Sequence, residues 1–177
     1  MWKHIYCAAV TAVLLLSCIL SPQKEGIFRL HIIANSNSVE DQAAKLIVRD
    51  AVIAYERDME NAQSAEAVKN ELMQDGSGIM EAVEDALRRC GMEYGAELHI
   101  GSYHFPNREY GNAFYPEGEY EALRIILGEG KGENWWCVMF PPLCILESPY
   151  GEIENEGQFQ SLILKLIREA KQNETKE

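Results

Sequence analysis

Basic residues are few: 16 lysines and arginines stand against 28 aspartates and glutamates over 177 residues, for a net charge of −12. Phosphate contacts need a basic face, so nucleic acid is set aside as a ligand, and passive adhesion to anionic lipid is disfavoured for the same reason. Histidine is scarce, with four in all, and the three beyond the N-terminal segment, His31, His99 and His104, form no His-x-x-x-His pair. The five cysteines contain no Cys-x-x-Cys pair either. Without those spacings neither a metal nor a cofactor is expected. No cysteine–histidine spacing singles out a nucleophile and base, and the carboxylates fall in no acid/base motif. Gly128-Glu-Gly-Lys-Gly132 lacks the Gly-Lys-Ser/Thr ending of a phosphate loop, carries acids at Glu129 and Glu133, and leads into an apolar strand pattern. It reads as a glycine-rich hairpin turn. Repeats and low-complexity linkers are also missing, which leaves one domain and a short appendage.

That appendage is present at the N-terminus. Met1-Trp-Lys-His is followed by an uncharged run, Ile5–Leu20, of sixteen residues. As a helix it would reach about 24 Å, short of the roughly 30 Å hydrocarbon core. Residues 1–24 therefore read as an export signal or membrane anchor. No Ala-x-Ala precedes Pro22, and Leu15-Leu-Ser-Cys18 loosely resembles a lipoprotein box. A cleaved signal, an uncleaved anchor in contact with the membrane, and a lipidated Cys18 all stay open. Each places residues 25–177, a single domain, outside the cytoplasm. Thiols tend to oxidise there. Cys137 and Cys144 enclose a Pro-Pro turn that folds the chain back, which makes them the candidate disulfide.

The rest of the chain alternates between periods of two and 3.6. Ile27–Ala34 is apolar and β-branched with Arg29 and His31 on one face, and predicts a strand. Ser38 with Asp41 starts a helix whose stripe includes Ala44, Val48, Ala51, Val52 and Tyr55. A short helix over Ala65–Leu72 lies within the acidic Glu56–Gly78 stretch, and a second clear helix runs from Ile79 to Cys90 with Gly91 as its stop. Ala96–His104 alternates as a strand, Phe105–Gly118 is a long aromatic loop, and Tyr120–Leu127 with Trp135–Phe140 predicts a hairpin around the glycine turn. Phe159–Lys171 is amphipathic and predicts a final helix before a polar tail, Gln172–Glu177. The fold class is α/β of the α+β type: a mixed, mainly antiparallel sheet packed with about three helices.

Several residues are candidates for meeting a partner. Adjacent Trp135 and Trp136 point to opposite faces of a strand, so the rings either pack on separate layers or one faces outward. Phe105, Arg108 and Tyr110 lie in the aromatic loop, with Tyr120 just after it. Arg124 interrupts an apolar strand and needs a carboxylate, solvent or a partner. Asn35 and Ser36 sit at a strand end where loops often bind ligands, although turn and cap chemistry also accounts for them.

Arg29-Leu-His-Ile-Ile-Ala-Asn-Ser-Asn37, Asp41-Gln, Lys45-Leu and Val48-Arg-Asp-Ala-Val52 resemble the opening of the stage II sporulation protein R family. Phe105-Pro-x-Arg-x-Tyr-Gly111, Tyr120-x-Ala-Leu-Arg124, Gly128-x-Gly-x-Gly132 and Asn134-Trp-Trp-Cys-Val-Met-Phe-Pro-Pro-Leu-Cys144 resemble its later signatures. The resemblance covers about Phe28–Cys144. It implies a non-enzymatic signal made in the forespore and exported into the space between forespore and mother cell. The implied partner is a membrane-embedded aspartic protease of the mother-cell membrane, which processes pro-sigma E. No catalytic residue comes with it. Two rival classes are a secreted thiol-dependent or cell-wall-directed hydrolase, which needs a cleft with a nucleophile and a base, and a purely structural envelope protein.

Overall fold

A computed structural model of the chain describes residues 26–59 and 63–144. The export segment over 1–24, the predicted helix Phe159–Lys171 and the tail after it lie outside the described residues. β1 (Phe28–Ile33) enters first and becomes a central strand, buried through Ile32. Three helices follow: α1 (Val39–Arg57), α2 (Ala65–Gln74) and α3 (Ser77–Arg89). Then come β2 (Ala96–Phe105), β3 (Arg108–Tyr110), β4 (Ala113–Tyr115), β5 (Gly118–Leu127) and β6 (Asn134–Phe140).

Local chemistry fixes the helix ends. The Ser38 hydroxyl accepts from the Asp41 N–H, and the Ser64 hydroxyl caps α2 from the Ala67 N–H. Each cap contributes about 1 kcal/mol over alanine. Gly91 ends α3 at a φ of 70°, with its N–H and that of Met92 closing on the carbonyls of Arg88 and Leu87. The helices cover one face of the sheet. Ala44, Ile47, Val48 and Val52 of α1, Val68 and Leu72 of α2, and Ile79, Val83 and Leu87 of α3 form one core with Leu30, Ile32, Leu123, Ile125 and Leu127. Each fully buried aliphatic side chain there adds roughly 2 kcal/mol relative to exposure.

The main sheet has the order β2-β5-β1-β6, mixed and mainly antiparallel, which is the expected fold class. One pairing departs from expectation. Tyr120–Leu127 and Trp135–Phe140 do not form a hairpin, because β1 lies between them, parallel to β5 and antiparallel to β6. The glycine segment is thus a crossover over the end of β1. Gly132 N–H donates to the Ala34 carbonyl (2.8 Å) and Lys131 N–H to that of Asn35 (3.0 Å), which fastens the glycine segment to the end of β1. Phe105–Gly118 is also more ordered than a loop: β3 and β4 pair as a small hairpin, Arg108 opposite Tyr115 and Tyr110 opposite Ala113.

Candidate functional site

The side of the sheet away from the helices carries polar and aromatic groups at alternate positions. Arg29 and His31 of β1 lie opposite Ala122 and Arg124 of β5, and beside Val138 and Trp136 of β6. Arg29 is fully buried and has no carboxylate partner among the described residues. Its guanidinium carbon sits 4.2 Å from the Phe105 ring centroid, 4.9 Å from Tyr120 and 5.8 Å from Tyr115. Nε donates to the Cys137 carbonyl (3.2 Å) and Nη2 to the Tyr110 hydroxyl (3.0 Å), while Nη1 has no hydrogen-bond partner. Ring quadrupoles and two neutral acceptors stand in for a counter-charge. Tyr110 in turn donates to the Trp136 carbonyl (3.2 Å), so the charge ties the β3–β4 hairpin to β6.

His31 stacks on Trp136 with ring centroids 3.7 Å apart, and its Nε2 meets the Asn134 Oδ1 at 2.8 Å. Burial lowers its pKa to about 4, the Asn134 hydrogen bond opposes that, and nearby Arg124 adds to it. The ring is therefore neutral near pH 7. Trp135 points to the other face, where the Arg49 guanidinium carbon lies 5.6 Å from its ring, and Arg49 pairs with Asp50 at 2.7 Å. The two tryptophans pack on separate layers.

The predicted partner residues thus divide. Phe105, Tyr110, Tyr120 and Trp136 come together around Arg29 and His31, and the first three are buried. Trp135 stands apart on the helix side. Asn35 and Ser36 belong to a third place, a polar knot at the end of β1. Asn35 Nδ2 (2.9 Å), the Ser36 hydroxyl (2.5 Å) and the Tyr94 hydroxyl (2.6 Å) all donate to the Asp41 carboxylate. Burial pushes the Asp41 carboxyl up, but these bonds outweigh it and hold it below the usual carboxylate range. The oxygens of Asn35 and Asn37 accept from the N–H groups of Glu129 and Glu133, both at 2.8 Å. The knot locks the glycine crossover to β1, and its donors and acceptors are engaged internally.

What remains outward is the tip of the β3–β4 hairpin. Phe114 is 59% exposed, paired with Glu109 and neighboured by exposed Asn107 and Arg108. Together these four line a shallow surface hollow. Phe114 is the residue that sequence reasoning missed. Its signal was alternation: Ala113 and Tyr115 turn inward, which leaves Phe114 facing out on a strand of three residues.

Cys137 and Cys144 form a disulfide with a Cα separation of 5.6 Å, closing the turn after β6. Cys90 is buried at the end of α3 and lies outside it. Among the described residues no group of three His, Cys, Asp or Glu side chains is arranged to hold a metal, and no helix is long and apolar enough to cross a membrane.

A family model described as Stage II sporulation protein R (spore_II_R) matches residues 24–150. Stage II sporulation protein R of Bacillus subtilis (strain 168) is 38% identical over 134 residues, covering 73% of this chain and 58% of that protein. The chain thus spans less than two thirds of that relative's length. No solved structure matches. Because the matched stretch runs through every described element from β1 to β6, the chain belongs to the stage II sporulation protein R family.

Proposed function

We propose that this protein is an exported signal of sporulation that activates a membrane-embedded aspartic protease, which processes pro-sigma E in the mother cell. It acts by binding, without catalysis of its own, in the space between forespore and mother cell. The observation that carries the binding mode is the β3–β4 hairpin: rooted by Tyr110 on buried Arg29, it holds Phe114 outward beside Arg108. A rigid base with an exposed aromatic and an arginine is the composition of an interface anchor. The apolar run Ile5–Leu20 behind Lys3 supports export.

Pro-sigma E processing reconstituted with the protease and the full chain tests this. Phe114→Ala and Arg108→Ala are expected to abolish or strongly reduce processing with melting temperatures nearly unchanged. Full processing by both variants would move the interface elsewhere, and processing that is indifferent to the added chain would end the reading. Export is tested separately: a C-terminal fusion to a reporter active only outside the cytoplasm is expected to work, and a cytoplasm-only reporter is expected to fail.

A further inference from the structure

The two edges of the main sheet are treated differently. At β6 the chain closes its own edge: the Trp136 carbonyl accepts from Tyr110, and the Val138 carbonyl accepts from the Leu143 N–H at 3.2 Å. At β2 nothing among the described residues pairs with the outer edge. The strand is ten residues long, runs in unbroken register with β5 from Ala96 to Phe105, and is at least partly exposed as far as His104. Soluble proteins blunt such edges with proline, charged side chains, bulges or short strands, and β2 has no proline, lysine or bulge and only Glu97 as a carboxylate.

A second observation lies beside it. Arg124, opposite His99 on β5, places its guanidinium carbon 4.2 Å from the Tyr103 ring centroid. That ring lies back over Gly101, where a Cβ would come 3.3 Å from the Tyr103 hydroxyl. Arg124 has no carboxylate among the described residues, and its buried Nε has no hydrogen-bond partner. A cation stacked near an open strand edge lacks its counter-charge.

We infer that the outer edge of β2 pairs antiparallel with that of a second copy of this chain, joining two sheets across a two-fold axis. A pairing centred on Ile100 sets Ile100 against its twin, His99 against Gly101, Leu98 against Ser102 and Glu97 against Tyr103. No like charges oppose one another. Glu97, which meets His99 Nε2 of its own strand at 3.1 Å, exchanges that exposed contact for the Tyr103–Arg124 stack of the other copy and supplies the missing carboxylate. A partner that merely added a neutral strand would complete the ladder but not the charge.

Sedimentation velocity on the full chain in mild detergent is the test. The expected result is a dimer that dissociates on dilution through the micromolar range. Ile100→Lys opposes two ammonium groups at the axis and is expected to give monomer. Ser102→Lys, at an exposed position, does the same by blunting the edge, with an unchanged melting temperature. Glu97→Arg and Arg124→Glu each weaken the dimer about tenfold, since symmetry removes both charge pairs at once, and the double variant restores it. A wild-type chain that stays monomeric, a dimer that survives both lysine variants, or a double variant as weak as either single one would overturn the inference. Association through the N-terminal apolar run would survive those lysines and so counts against it.

Discussion

Glu56 is buried on α1 with one carboxylate oxygen lacking a partner, and burial pushes its carboxyl up to about 8, with Arg57 opposing. The folded chain therefore holds a proton that the unfolded chain, with a carboxyl near 4.5, has released. Stability from this group is present below pH 4.5 and falls as pH rises toward 8. His31 works the other way: with its pKa depressed from 6.5 to about 4, it removes stability as pH falls between those values. The two trends oppose each other between about pH 4.5 and 6.5, and Glu56 alone acts above that. Glu56→Gln is expected to match the native chain near pH 4.5 and to exceed it at pH 8 by at most about 4 kcal/mol. Urea unfolding across that range checks it, and parallel profiles would refute the assignment. Arg29→Lys keeps the charge but loses the planar stack and the two-acceptor geometry, and is expected to destabilise by about 2 kcal/mol in thermal melts. Its burial was not legible in the sequence. Alternation put Arg29 and His31 on one strand face, but only long-range neighbours, Phe105, Tyr110 and Tyr120, make that face dry.

At the scale of elements, what is local was readable. Ser38, Asp41 and Gly91 mark helix ends by chemistry confined to a turn, and the pleat sends Trp135 and Trp136 to opposite faces, although the pattern alone leaves open whether both rings are packed there. The position of β1 between β5 and β6 was not readable from the glycine segment, because a strand-to-strand connection looks alike whether it turns back or steps over a third strand. Nor did β1 itself announce a central place: Phe28, Leu30 and Ile32 alternate with Arg29 and His31, the pattern of a strand with one face turned to solvent. The crossover depends on close approach: a Cβ at Gly132 would collide with the Ser36 carbonyl. Gly132→Ala is expected to cost about 1–3 kcal/mol in denaturant unfolding. Tyr110→Phe removes the hydroxyl between Arg29 and the Trp136 carbonyl and should cost about 1–2 kcal/mol, unlike Phe114→Ala, which should cost almost nothing. Equal losses for those two variants would mean that the hairpin tip is part of the core.

For the whole molecule, the Cys137–Cys144 bridge closes a short loop beyond β6. Its reduction is expected to lower the unfolding free energy by about 2–3 kcal/mol, read as a shift in urea midpoint with and without reductant. The topology has a further consequence, in time instead of space. β1 is the earliest described strand, yet both its neighbours, β5 and β6, are the last. A chain emerging N-terminus first, from a ribosome or through a membrane pore, holds its central strand without a mate until more than eighty residues have followed: β5 begins at Gly118, β1 ends at Ile33. The sheet thus stays open while the chain emerges, since the order of emergence itself withholds the final pairing until Phe140 is through.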